Sequence, residues 1–275
     1  MIPAGFVAAA VAVLLMPTVR TQAPALSGSV TLATDYRFRG VSQTYRQPAI
    51  QGGVEYAGRG PYAGAWGSNV SGNQFLNGGS LELDLYGGYR WAGGSGGGKR
   101  GLDLGLQYYW YPRARYNIDP GDRYNTVEAY VSARLQQFTA KYSYALTNLF
   151  GMKTSTIGGY CGIASDGSAM TSDCLGTGVS TGSGYVDLGA SFDLFAGMNL
   201  GLHYGYQYVR NYAQLSYWDY KAGVTRQLAG VTLGAAAVGT DAENRFYRYA
   251  PTTTGSQETE DVARLALVLS ASKAF

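Results

Sequence analysis

The sequence predicts an all-β fold: a single transmembrane, up-and-down, antiparallel β-barrel of about 12 strands after an N-terminal signal peptide. Three observations lead there. Segments of alternating apolar and polar residues recur along the chain, the connections between them alternate between short and long, and the last segment is amphipathic and ends on Phe275. Composition agrees, because 275 residues with 40 Gly, 24 Tyr and only 14% charge suit many short strands better than a cytosolic enzyme. The formal net charge of +3, with Lys and Arg scattered, argues against a nucleic-acid partner.

The first element is a targeting segment. Phe6–Met16 is an apolar run too short to span a bilayer as a helix but suited to a signal-peptide core, and Ala23-Pro24-Ala25 offers a small-residue cleavage site. Residues 1–25 are therefore expected to be removed and residues 26–275 to form the barrel, although MIPAG carries no basic residue. Val30–Arg39 is the first expected strand, with Thr31, Ala33, Asp35, Arg37 and Arg39 on its polar side. Ala49–Ala57, Tyr62–Ser68 and Leu81–Trp91 follow, the last placing Leu81, Leu83 and Leu85 opposite Glu82, Asp84 and Arg90. In Leu102–Tyr111, Leu102, Leu104, Leu106, Tyr108 and Trp110 share one face, and Asp103 and Gln107 share the other. Thr126–Gln136, Phe138–Thr147, Gly184–Leu194, Met198–Arg210, Tyr217–Leu228, Val231–Thr240 and Val262–Phe275 complete the set. Most approach the roughly 9–11 residues that cross a bilayer at a tilt.

The connections supply orientation. Gly58–Gly60, Ala92–Lys99, Gln136-Gln137, Phe195–Gly197 and Ala229-Gly230 are short; Val41–Gln47, Asn69–Ser80, Pro112–Asn125, Gly151–Ser183, Asn211–Ser216 and Asp241–Asp261 are longer and polar. Tight periplasmic turns alternating with extracellular loops give that pattern, whereas a Greek-key sandwich does not. Trp66, Trp91, Tyr108, Trp110 and Trp218, near strand ends, are expected in the aromatic girdles at the two interfaces. Cys161 and Cys174, in the long loop 151–183, would form a disulfide in an oxidising compartment. The last strand carries Lys273 on its apolar face, near the rim, where a long stem lets the ammonium reach headgroups.

The stretches LATDYRFRGVSQT, PAIQGGVEYA and GPYAGAWGSNV, followed in order by LELDLYGGYR, GLQYYWYP and NTVEAYVS, resemble the TorF-type porins, proteobacterial outer-membrane proteins of poorly defined function. The resemblance runs from about Ser27 to Phe275 and is densest in the N-terminal half. It implies an outer-membrane barrel with a channel-like role and carries no established substrate. A final strand ending in Phe resembles the signal read by the barrel assembly machinery. Outer-membrane lipids and small hydrophilic solutes are the other expected partners; no cofactor or metal is implied.

Projecting the polar faces inward gives an expected lumen lined by Asp35, Arg37, Arg39, Glu55, Glu82, Asp84, Arg90, Asp103, Glu128, Arg134, Lys141, Asp187, Asp219 and Lys221. Arg or Lys facing hydrocarbon at the midplane costs about 2–4 kcal/mol, so one-sided placement implies water or mutual pairing. The charges then either set the selectivity of a narrow pore or pair across a closed interior. Glu82 and Asp84 point the same way; such a pair can do acid–base chemistry or bind a cation, but with Arg37, Arg39 and Arg90 available a salt-bridged wall is the expectation. His203, the only histidine, suggests a hydrolase with Ser191 and Asp193 as the alternative chemistry. GGSGGGK at 93–99 matches the opening of a phosphate loop, but Arg100 replaces the Ser or Thr and a strand follows, so it reads as a turn. Passive diffusion through a narrow charge-lined lumen is the expected function, with a closed structural or adhesive barrel as the alternative.

Overall fold

A computed structural model of the chain describes residues 25–93, 100–116, 121–250 and 259–275. The expected signal peptide, apart from Ala25, and the turn at 94–99 lie outside the described residues. Among those described, the elements in chain order are β1 (Ala25–Ala33), β2 (Arg37–Phe38), β3 (Val41–Ser42), β4 (Ala49–Ala57), β5 (Pro61–Asn69) and β6 (Leu81–Gly93). They continue with β7 (Arg100–Trp110), β8 (Thr126–Leu135), β9 (Phe138–Ala145), β10 (Gly184–Asp193) and β11 (Met198–Tyr208). The last are β12 (Tyr217–Leu228), β13 (Val231–Thr240), β14 (Arg248–Tyr249), β15 (Glu260–Asp261) and β16 (Ala266–Ala274). Twelve of them form one closed antiparallel barrel in the order β1-β4-β5-β6-β7-β8-β9-β10-β11-β12-β13-β16, with β1 returning to β16. β2–β3 and β14–β15 are separate two-stranded ribbons.

The alternation in the sequence becomes two faces of one wall. Leu102, Leu104 and Leu106 point outward and are about half exposed, as are Val30, Leu32, Ile50, Val54, Leu85, Val131, Leu188, Leu202, Val224, Leu233 and Leu269. A continuous apolar belt of this kind is unfavourable in water and is satisfied by acyl chains. Closure removes the free backbone edge that lipid could not hydrogen-bond. This is the architecture of an outer-membrane barrel, and it places the chain in the outer membrane. All the tight connections described fall at one end and the long ones at the other.

Ala49–Ala57, Tyr217–Leu228 and Val231–Thr240 form strands at the expected boundaries, but the first strand does not. It begins earlier and ends at Ala33; residues 34–48 then turn into the lumen, where Asp35, Tyr36, Arg37, Ser42 and Thr44 are buried. The alternation in the sequence continues past the end of β1 to Arg39, although residues 35–44 are buried almost without interruption. Asp35, Arg37 and Arg39 therefore belong to an inserted segment rather than to the wall. Trp66 is a second correction: it faces inward and packs edge-on against Tyr36, with ring centroids 5.3 Å apart, so it is not a girdle residue. The β5 register explains this, since Tyr62, Trp66 and Ser68 share the buried face with Gly64, while Ala63, Ala65 and Gly67 lie on the lipid face.

The Gly and Tyr content has a packing role. Gly64 lies opposite Tyr86 and Gly105 opposite Tyr130 in the ladder. A Cβ at either glycine would stand 2.4 Å from the tyrosine facing it. The missing side chain makes room for an aromatic ring lying flat along the inner wall. Overpacking of such a site costs about 1–3 kcal/mol. Gly105→Val is accordingly expected to destabilise the refolded barrel by that amount in a urea titration, and Gly101→Ala, nearer the tight-turn end, to do so much less.

Candidate functional site: the charged lumen

The segment between β1 and β4 crosses the barrel. β2 and β3 are joined by Arg39-Gly40, with φ of 47° and 79°. Positive φ at both central residues defines the tight turn whose twist matches a β-hairpin, and glycine takes the second position without strain. The tip is wedged against β12 and β13, where a Cβ on Gly40 would come within 2.4 Å of Thr240 and 2.7 Å of Asp219.

Arg39 is carried on this tip to the far wall. β8 lies five strands from β1 one way round the ring and β11 four the other way (β4, β5, β6, β7, β8; β16, β13, β12, β11). Arg39 Nη2 donates to Glu128 Oε2 on β8 and Nη1 to Gln207 Oε1 on β11, both at 2.6 Å. Its guanidinium also lies 4.3 Å from the Tyr185 ring centroid and 4.7 Å from that of Phe38. The fork geometry of arginine suits two acceptors on different strands, and stacking covers its apolar faces.

The base of the hairpin is tied down separately. Arg37, fully buried, pairs with Asp35 at 2.6 Å and donates through Nη1 to the carbonyls of Gly40, Val262 and Arg264. Asp35 also accepts from the hydroxyls of Ser42 and Thr44. Arg46 pairs with Glu260 at 3.0 Å, which fastens the segment to the loop before β16. Above it, Phe75, Tyr111, Tyr116 and Tyr124 form an aromatic cluster that Phe150 joins from loop 151–183's leading edge. Leu149, Leu175, Val209, Tyr212, Leu215 and Phe246 form a second cluster over the same mouth. The Cys161–Cys174 disulfide is present in loop 151–183.

Two further charge groups line the wall below. Arg90 on β6 bridges β4 and β7, with Nη1 2.6 Å from Glu55 and Nε 3.1 Å from Asp103. Its guanidinium covers Tyr62, whose hydroxyl donates to Asp103 and hydrogen-bonds to that of Tyr130. Lys141 Nζ sits 4.1 Å from the Tyr130 ring centroid. On the other side, His203 is held at Nδ1 by Asp187 at 3.0 Å and at Nε2 by Asp219 at 2.7 Å. Tyr185 donates to the second oxygen of Asp219. Arg134 and Lys221 also face inward. Exposure rises toward the tight-turn end: on β8, Thr126, Glu128 and Tyr130 are buried, whereas Ser132 and Arg134 are partly exposed. Ser132, Ser191, Asn199, Thr232 and Ser272 line that end with small polar groups.

The wall thus brings Glu55, Arg90 and Asp103 together, and Asp187, His203 and Asp219 together. It does not bring the arginines to Glu82 and Asp84: Arg37 goes to Asp35, Arg39 to Glu128, and Arg90 to Glu55 and Asp103. The expected salt-bridged pair is therefore not formed. The expected hydrolase cluster is not formed either. Ser191 donates to Asn199, which in turn donates to Asp193, and both nitrogens of His203 are taken by carboxylates, leaving neither to receive a serine proton. Trp91 and Trp218 stand exposed on the outer face, with Tyr108 and Trp110 half-exposed beside them. Gln207, Tyr62, Tyr130 and Tyr185 carry lumen contacts that the charge pattern alone did not select; the signal was their alternation with lipid-facing neighbours.

Residues 20–275 match the family described as "Bacterial protein of unknown function (Gcw_chp)". No curated protein matches the chain. Among solved structures, the KdgM porin aligns with a TM-score of 0.48 at 6% identity, over 90% of this chain and 99% of that one. The COG4313 outer membrane channel from Pseudomonas putida F1 aligns at 0.43 and 12%, over 96% and 98% of the two chains. Outer membrane phospholipase A from Escherichia coli aligns at 0.43 and 11%, over 92% and 96%.

Removing one partner from a buried ion pair costs about 3–5 kcal/mol, because the other charge stays buried. Arg90→Ala strands Glu55 and Asp103 together and is expected to lower unfolding stability by that order. Combining it with Glu55→Gln and Asp103→Asn should restore most of the loss, as measured by urea unfolding of the reconstituted barrel.

Proposed function

The chain belongs to the Gcw_chp family, and we propose that it is an outer-membrane channel for passive diffusion of small hydrophilic solutes or ions, with the segment 34–48 as its constriction. The observation that carries this reading is the Arg39 crossing. The lumen is polar and water-accessible from the tight-turn end as far as Asp187 and His203, and above that level one hairpin fills it by reaching the opposite wall. A side-chain latch of two hydrogen bonds on a two-residue turn is a small element to move, whereas the surrounding wall is a continuous ladder. The mixed charges of Arg90, Asp103, Lys141, Asp187 and Lys221 would then meet the passing solute.

The remaining expectations fit the same reading. Residues 1–25 act as the export signal, the tight turns face the periplasm, and the strand ending at Phe275 is presented to the barrel assembly machinery. The resemblance of Leu32–Val70 to TorF-type porins supports the channel role, and these residues include the inserted segment itself.

Single-channel recording of the purified chain in planar bilayers tests it. Wild type is expected to show small or infrequent openings. Arg39→Ala, and replacement of residues 36–46 by a short Gly-Ser bridge, are expected to raise conductance several-fold. A barrel that stays silent even without the hairpin is a closed structural barrel, and the channel reading fails.

A further inference from the structure

The carboxylates of Glu82 and Asp84 stand two residues apart on β6, both facing inward, with relative exposures of 0% and 1%. They lie within hydrogen-bonding reach of one another. Among the described residues neither joins an ion pair, and Arg37, Arg39 and Arg90 each serve other acids. Tyr36 donates to Glu82 Oε1 at 3.3 Å and Gln107 Nε2 to Asp84 Oδ2 at 2.8 Å. The Tyr111 hydroxyl also stands within hydrogen-bonding reach of Glu82, while Glu82 Oε2 and Asp84 Oδ1 have no partner in good hydrogen-bond geometry.

The amides around the pair point to what belongs there. Gln107 is held on Asp84 by its nitrogen, and its buried Oε1 has no partner. Gln51, on β4, is buried with both ends of its amide unpartnered. It stands at the level of Glu82, the ladder running Gln51–Ser68–Glu82 across β4, β5 and β6. Buried polar atoms are almost always satisfied, so several orphans at one level mark a place where something else completes the bonding. Two adjacent buried carboxylates carry charge that burial penalises unless it is neutralised.

We propose that Glu82, Asp84 and Gln107 form a buried site for a hard divalent cation, calcium by the chemistry of its donors. The donor set is oxygen only, without imidazole or thiolate, which selects against zinc and copper. Two carboxylates balance one divalent charge. Calcium takes about 6–8 oxygens in loose geometry, whereas magnesium demands a near-ideal octahedron. The four carboxylate oxygens, with the Gln107 amide oxygen once that amide turns its nitrogen off Asp84, supply five donors of such a shell. Tyr36, through Glu82, couples the site to the inserted segment. The site itself does not depend on whether the barrel conducts.

Terbium binding to the refolded, full-length barrel tests this directly. Tyr36, Tyr109, Tyr111 and Trp66 surround the pair and would sensitise terbium emission. Wild type is expected to give sensitised luminescence that calcium displaces, and to melt at a higher temperature in calcium than in chelator. Glu82→Gln with Asp84→Asn should lose both effects, while Asp166→Asn, on the exposed loop, keeps them. Gln107→Met keeps both carboxylates and is expected to bind terbium several-fold more weakly; it decides the matter if the double variant does not fold. Wild type with no sensitised emission and one melting temperature in calcium and chelator overturns the site, and a proton shared between the carboxyl groups takes its place. Terbium bound as tightly by the double variant, or by Gln107→Met where that variant fails, overturns it equally.

Discussion

Hydrocarbon offers nothing to a free strand edge, so the sheet has to close, and it does so where Ser29–Ala33 pair with Ser270–Ala274. Once that seam exists, every strand has one side committed to lipid. Period-two alternation then sends the other side into a confined interior, and the charge on the wall goes with it except near the tight-turn rim, where Arg226 and Lys273 face out. The outer face is chemically simple as a result, and the inner face has to solve every polar problem the chain contains.

Most of these problems are solved in groups that span several strands. Arg90 joins β4, β6 and β7; His203 joins two acids on its neighbouring strands; Arg39 joins an inserted hairpin to β8 and β11. Tyrosine rings lie between these groups in spaces left by glycine, so the interior is a layered packing of aromatic and ionic contacts. Such groups fix positions more than they add stability, because buried ion pairs recover little beyond their own desolvation. The Glu82–Asp84 pair stands apart: it has hydrogen-bond donors but no cation, while a buried, half-satisfied amide sits beside it.

The barrel was legible because its rule is local. Three strands are read from alternation to the residue, and the loop lengths carry the topology. What could not be read is what non-local contact decides. Residues 34–48 alternate like a wall strand, and only the Arg39-Gly40 turn hinted at a reversal. Trp66 has the composition of an interface residue, but the register of β5 with β6 turns it inward. The inward positions of Glu55, Asp103 and Glu128 follow from parity; their partners do not, since pairing depends on which strands become neighbours and on side-chain reach. Arg37, Arg39 and Arg90 share the polar parity of Glu82, yet each pairs with another acid.

The hairpin's contacts also depend on the whole wall. Arg39 is 89 residues from Glu128 and 168 from Gln207, and its acceptors sit on strands that only the completed ring brings face to face. Its latch therefore needs β8 and β11 in place together across the bore from β1, so the plug is a property of the assembled ring and of no shorter piece of the chain.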